Sequence, residues 1–199
     1  CSRVYGFNDS IGVKGRFCTA RASLIGEFAC ADFDLVLCSY ALYFFPRIIP
    51  YIARITREQG MFIAITHNRD NMRELINAVK GVLPEVTAVK KRSLPVEKLI
   101  AGFCTENGGA LLAPWFGRVQ AIGYDNSLVF RPDDIQELLE YFRFKTPFFL
   151  SATPCDTEAV TALLGGRLQR IIIAESRFIL SKNDGIFICT GPRFGRKAS

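Results

Sequence analysis

The 199-residue sequence contains one histidine, His67, and one tryptophan, Trp115. A single imidazole argues against a zinc site of ordinary Cys/His spacing. The seven cysteines include no C-x-x-C pair. No G-x-G occurs anywhere in the chain, so neither the dinucleotide fingerprint nor a Walker phosphate loop is present. The absence of G-x-S-x-G argues against a serine hydrolase of the usual α/β type. No apolar run approaches the ~18 residues of a membrane span, and no signal peptide is visible.

What the chain does contain is ordinary globular material, 49% hydrophobic and 22% charged. Its length suits one domain with its own core, taken as 1–190, followed by a basic, flexible tail over 191–199. Lys and Arg number 25 against 19 Asp and Glu, a net charge of +6. These charges are scattered, and the densest run, Lys90-Lys91-Arg92, is short. A solvated basic surface is therefore weighed above nucleic-acid binding. Cys38, Cys104 and Cys189 sit in apolar stretches as small core residues, which implies a reduced, cytoplasmic chain. The first residue is Cys rather than Met, and a fragment is the expectation.

The clearest unit spans Asp34 to Thr66. Asp34–Cys38 is continuously apolar after its first residue and reads as a buried, parallel-type strand. From Pro46 to Arg57, Ile48, Ile52 and Ile55 recur at helical spacing, and Gly60 is the expected stop. Met61–Ile65 is a second buried strand, completing a βαβ unit with a right-handed crossover. Upstream, Arg3–Phe7 and Arg16–Thr19 are short strand candidates, with too few residues between them for a parallel crossover. Downstream, the spacing predicts helices over 71–82, 95–104 (interrupted by Asn107-Gly108-Gly109), 132–142 and 157–170. Strands are predicted over 118–123 and 127–130, around Asp125-Asn126, and over 185–189.

In open α/β sheets, ligands bind beyond the carboxyl ends of the strands. That rule selects Asn8-Asp9-Ser10, Cys38-Ser39-Tyr40 and Thr66-His67-Asn68. His67 thus falls at a functional rim, although a lone histidine is more often structural. Tyr40, Tyr43, Phe44 and Phe45 suit an aromatic pocket or, equally, the packing surface at the start of the following helix. Asp70 and Glu74 are one turn apart, and a capping Asp followed by a solvated Glu is the simpler account than a carboxylate pair.

The stretch FDLVLCSYALYFFPRIIPYIARITREQGMFIAITH resembles the middle of a class I S-adenosylmethionine-dependent methyltransferase. NMREL, ENGGALLAPWFGRVQAIGYDNSLVF and KNDGIFIC are similar to the back half of bacterial small-molecule members. The resemblance implies a Rossmann-like α/β fold, with a mostly parallel sheet and helices on both faces. It implies S-adenosylmethionine as cofactor and a small molecule as methyl acceptor. VYGFNDS stands where the family grips the ribose hydroxyls, which assigns Asn8 and Asp9 to the cofactor. FCTARASLI resembles the third strand and the adenine-side loop, which assigns Arg21 and Ala22. Cys38, Ser39 and Tyr40 match the segment beside the methionine part, and Tyr43 and Phe44 border the substrate. His67 and Tyr40 are the candidates for a general base, a role that depends on the acceptor.

The family's first strand and glycine-rich loop have no counterpart, so the domain is expected to be N-terminally incomplete and its activity as it stands is in question. No N/D-P-P-Y/F motif points to a base-methylating enzyme. Two alternatives remain: a degenerate scaffold of the same fold that binds a partner, and a basic nucleic-acid-binding domain, which would cluster Lys and Arg with aromatics on one surface.

Overall fold

The computed structural model describes residues 4–7, 15–18, 21–88, 93–151 and 153–193. Strands β1 (Val4–Phe7) and β2 (Gly15–Cys18) pair antiparallel in a sheet of their own. The resemblance had made them the second and third strands of the main sheet. Their short connection permits only the antiparallel arrangement. Asn8 and Asp9 lie in that connection, outside the described residues. A 3-10 helix, Ala22–Glu27, follows in place of the expected adenine-side loop. Arg54 anchors this segment, donating from Nη2 to the carbonyls of Gly26 and Phe28 at 2.6 and 2.9 Å.

The βαβ unit forms as β3 (Phe33–Ser39), α1 (Ile49–Ile55) and β4 (Thr56–His67), with β3 and β4 parallel. Pro46 opens a 3-10 turn ahead of α1, and Pro50 falls in the helix's first turn, where its missing N–H is harmless. The helix stops before Thr56, not at Gly60, and Glu58-Gln59-Gly60 belongs to β4. A Cβ at Gly60 would stand 3.0 Å from the carbonyl oxygens of Phe33, Asp34 and Arg57. This glycine serves the close approach of β3 to β4 where their register shifts, between Phe33 and Leu35.

Three helices come next: α2 (Arg73–Val86), α3 (Pro95–Gly102) and α4 (Thr105–Leu112). The α2 N-cap is Met72, in a left-handed conformation with φ of 59°. Asp70 is therefore not the cap and instead pairs with Arg73. Glu74 is tied down rather than merely solvated, because its carboxylate accepts from Ser181 N and Oγ at 2.9 and 2.6 Å. Asn107-Gly108-Gly109 lies inside α4 and does not interrupt the chain there. A Cβ at Gly108 would stand 2.5 Å from Phe187 and 3.1 Å from Phe103, so the helix packs onto two buried rings only because that position is bare. Gly108→Ala gains about 1 kcal/mol of helix propensity. Overpacking costs about 1–3 kcal/mol and should prevail, because both rings are buried. Chemical denaturation of the variant should show a net loss.

Strands β5 (Phe116–Tyr124) and β6 (Ser127–Phe130) flank the predicted turn but join different sheets. Helix α5 (Ile135–Leu150) runs eight residues past the predicted end at Phe142 and carries Pro147 within it. Helix α6 (Thr157–Glu175) is capped by Asp156, which accepts from Glu158 N at 2.9 Å. Strand β7 (Phe178–Ser181), absent from the sequence expectation, pairs antiparallel with β6. Strand β8 (Asp184–Pro192) reaches into the segment assigned to the tail, whose residues 194–199 lie outside those described.

The main sheet has the order β3-β4-β8-β5. Only β3 and β4 pair in parallel, and β8 runs against both its neighbours. The expectation of a mostly parallel sheet fails because the last strand is inserted, reversed, between β4 and β5. Those three other strands still share one direction. One face carries Phe62, Ala64, Phe187 and Cys189, buried beneath α1 and α4. The opposite face carries Leu35 and Leu37, 57% and 61% exposed, with Met61 and Ile122 also open. Among the described residues, helices thus cover one face of the sheet rather than both. A second core holds α2, α3, α5 and α6 against β6 and β7, through Leu75, Val79, Leu138, Phe142, Leu164 and Leu180. No described helix is long and apolar enough to cross a membrane.

Candidate active site

Strand alternation brings His67 to the last position of β4, facing away from the buried face, directly opposite Asp184 at the start of β8. Tyr40, the first residue beyond β3, has a left-handed backbone with φ of 51°, and its N–H bonds Ile65 O at 2.8 Å. That turn is sterically disfavoured for a bulky residue. It brings the phenol to Asp184.

The Asp184 carboxylate is 9% exposed and is held by two donors. Tyr40 donates its O–H to Oδ2 at 2.8 Å, and His67 Nδ1 meets Oδ1 at 2.7 Å. The rings of Tyr40 and His67 stack with centroids 4.7 Å apart, and Tyr43 stacks beyond at 5.8 Å. Burial, first of all, pushes the His67 pKa down, and Lys182 and Lys145 push the same way against the opposing pull of Asp184. The pair is therefore a neutral imidazole beside a carboxylate, not an ion pair, at neutral pH. The acceptor on Asp184 fixes the tautomer with Nδ1–H, leaving the Nε2 lone pair free to take a proton. Burial and the Asp184 carboxylate push Tyr40 up to about 12, so it stays a phenol and a donor.

A depressed histidine has a definite consequence for stability. Between the folded pKa and the ordinary 6.5 the unfolded chain binds more protons, so stability rises with pH there. The contribution is complete above about 6.5 and is lost as pH falls through the folded value. Urea midpoints for the native protein should decline on acidification from that pH, and His67→Gln should remove this part of the slope.

Of the residues expected at the site, His67, Tyr40, Tyr43 and Phe44 come together. Ser39 is exposed at the end of β3. Cys38 points to the other side, packed on the buried sheet core, and burial raises its thiol pKa. Arg21 and Ala22 lie at the start of the 3-10 helix and make no ring contact or side-chain hydrogen bond with the Tyr40–His67 group. Asp184 was missed. The only sequence signal was a charged residue opening an apolar strand, and nothing local ties it to a histidine 117 positions away. Cys30, Cys38, Cys104, Cys155 and Cys189 are free thiols. Cys30 is exposed, whereas Cys189 is buried and pushed up to about 12. A thiol reagent should modify Cys30 quickly and leave Cys104 and Cys189 intact until the protein unfolds.

No family model matches the chain, and no curated protein matches it. Among solved structures, it is similar to phosphoethanolamine N-methyltransferase 2 of Haemonchus contortus in complex with S-adenosyl-L-methionine, at 14% identity and a TM-score of 0.39. That alignment covers 83% of this chain and 35% of the other. The same enzyme with phosphomonomethylethanolamine and S-adenosylhomocysteine aligns at 13% identity, with the same coverage and TM-score. A Bacillus halodurans protein assigned as a methyltransferase aligns at 10% identity and a TM-score of 0.43, covering 83% of this chain and 73% of the other. The chain spans about a third of the length of the Haemonchus enzyme, 35%.

Proposed function

We propose that this chain forms part of an S-adenosylmethionine-dependent methyltransferase for a small-molecule acceptor, with His67 as general base. The observation that carries the reading is the Tyr40–Asp184–His67 linkage at the carboxyl ends of two parallel strands, where α/β sheets bind ligands. It joins the sequence resemblance of the same βαβ unit. When bound, the cofactor supplies a methyl group already activated on a sulfonium. Tyr40 suits that group, because its electron-rich ring is 38% exposed and can face a cation. Ser39 and Tyr40 would flank the methionine end. Asn8, Asp9, Arg21 and Ala22 are assigned to the ribose and adenine side, and Cys38 to the methionine side, by resemblance alone. A cytoplasmic setting with reduced thiols belongs to the same reading.

The chain's own residues account for the proton. His67 Nε2 takes it from the acceptor as the nucleophile attacks. Asp184 holds the Nδ1–H and stabilises the imidazolium that results. Tyr40 O–H holds the second carboxylate oxygen, so Asp184 cannot rotate away. Tyr43 and Phe44 supply an apolar border that excludes water.

Calorimetric titration with S-adenosylhomocysteine tests the reading. Saturable one-site binding, accompanied by a rise in melting temperature, is expected, and Tyr40→Leu should weaken it. A native chain that gives no binding heat and no thermal shift at millimolar ligand overturns the assignment.

A further inference from the structure

A small cavity lies between the end of β4 and helices α3 and α5, about 50 Å³ in volume. It has room for roughly four water molecules, which is the scale of one carboxylate or phosphate group and far below an adenosine. His67 forms one wall, and Lys145, Lys182, Asn71 and Phe148 form others.

Three features of this wall are unusual together. Asn71 is fully buried, and among the described residues neither its Oδ1 nor its Nδ2 has a hydrogen-bond partner. A buried amide left unpaired is costly, and native proteins rarely keep one without a use. Neither Lys145 nor Lys182 forms an ion pair among the described residues. The carboxylate that reaches Lys182 electrostatically, Asp184, is already engaged by Tyr40 and His67. The Lys145 ammonium lies 5.2 Å from the Phe144 ring centre and 5.7 Å from that of Phe148. The two ammoniums also feel each other. Burial lowers both pKa values, and Lys145 lowers that of Lys182 further. Two cations and an idle amide on a small cavity otherwise walled by apolar side chains such as Met72, Val96 and Ile100 are complementary to an anionic group carried on an apolar stem.

We propose that this cavity is an oxyanion subsite, in which Lys145, Lys182 and the Asn71 amide hold the carboxylate or phosphate of a small acidic ligand. Resting on the methyl-transfer reading, the acceptor is then an acidic molecule whose anionic group docks here, with its nucleophile presented to His67. Binding of the oxyanion itself does not depend on that reading.

The test needs no cofactor. The imidazole of His67, the chain's one histidine, is followed by NMR while inorganic phosphate, and separately acetate, is added at constant ionic strength. His67 is faced by Asp184 from β8, by Tyr40 and Tyr43 from the segment after β3, by Lys145 from α5 and by Lys182 from the turn before β8. An oxyanion between the lysines offsets their field, so the His67 pKa should rise on saturation. The Asn71 side-chain amide should shift in parallel.

Lys145→Met and Lys182→Met should each weaken binding about tenfold, the loss of one charge-assisted contact. Lys98→Met, on the exposed face of α3, should not. Saturation by phosphate alone assigns a phosphate-bearing ligand, and saturation by acetate assigns a carboxylate. Shifts that never saturate in the native protein, or that Lys98→Met weakens as much as Lys182→Met, overturn the proposal. A chain that binds phosphate but not S-adenosylhomocysteine keeps the subsite and loses methyl transfer. The opposite result keeps methyl transfer and loses the subsite.

Discussion

Phe187→Ala should destabilise the protein by about 3–5 kcal/mol, a large share of the roughly 5–15 kcal/mol that holds a domain together. Phe187 is 2% exposed in the middle of β8. Its ring meets Phe103 edge-on at 5.7 Å and lies beneath the bare Cα of Gly108. Its neighbours across the strands are Ala64 and Ala121. Glycine and alanine cannot reach into the space that the ring leaves, so the site can collapse little, and the cost should fall in the upper part of the range. Urea unfolding should show a lower midpoint with an unchanged slope. A loss below about 1 kcal/mol would mean that the sheet and α4 slide together, contrary to the rigid packing described.

If the chain acts as proposed, Asp184→Asn should lower the rate of methyl transfer by about 10²–10⁴-fold while leaving the fold in place. The carboxylate accepts from two donors at once, and an amide cannot. With its oxygen kept toward the Tyr40 hydroxyl, the Asn NH₂ faces Nδ1 of His67. The imidazole then moves its proton to Nε2, and the lone pair that serves as base is gone. The His67 pKa should also fall further, because Asp184 is the group that raises it. Two measurements apply: S-adenosylhomocysteine release, and the ring nitrogen shifts of His67, which report the tautomer. A variant that keeps Nδ1–H would remove the orienting role of Asp184.

The βαβ unit could be read from sequence because its signals are local. A continuous apolar strand, isoleucines at helical spacing and a second apolar run need no distant partner for interpretation. The same periodicity located α2 and most of α6. Where the reading failed, a residue's role was set by something far away. Gly60 resembles a helix stop, but it is a point of close approach to β3. Gly108 resembles a break, but it makes room for Phe187. Met72, not Asp70, stands at the α2 N-cap, because the chain must turn through Ser181, whose carbonyl accepts from Met72 N at 2.8 Å. The reversal of β8 between β4 and β5 leaves no mark in any single strand.

Of the candidate-site residues, His67 and Tyr40 were selected by the rule that strand ends bind ligands. Asp184, Lys145, Lys182 and Asn71 were not, since only the tertiary pairing gathers them.

The position of β8 also bears on how the chain comes to be folded during synthesis. It is the last of the described strands to leave the ribosome, yet it occupies the third place in the sheet. Until it emerges, β4 and β5 have nothing to bridge them, and Phe62 waits for Cys189. Tyr40 waits across 144 residues for Asp184. Contacts of such separation are slow to form. The βαβ unit and the helical core can collapse as they emerge, whereas the sheet and the Tyr40–Asp184–His67 linkage can close only when β8 inserts.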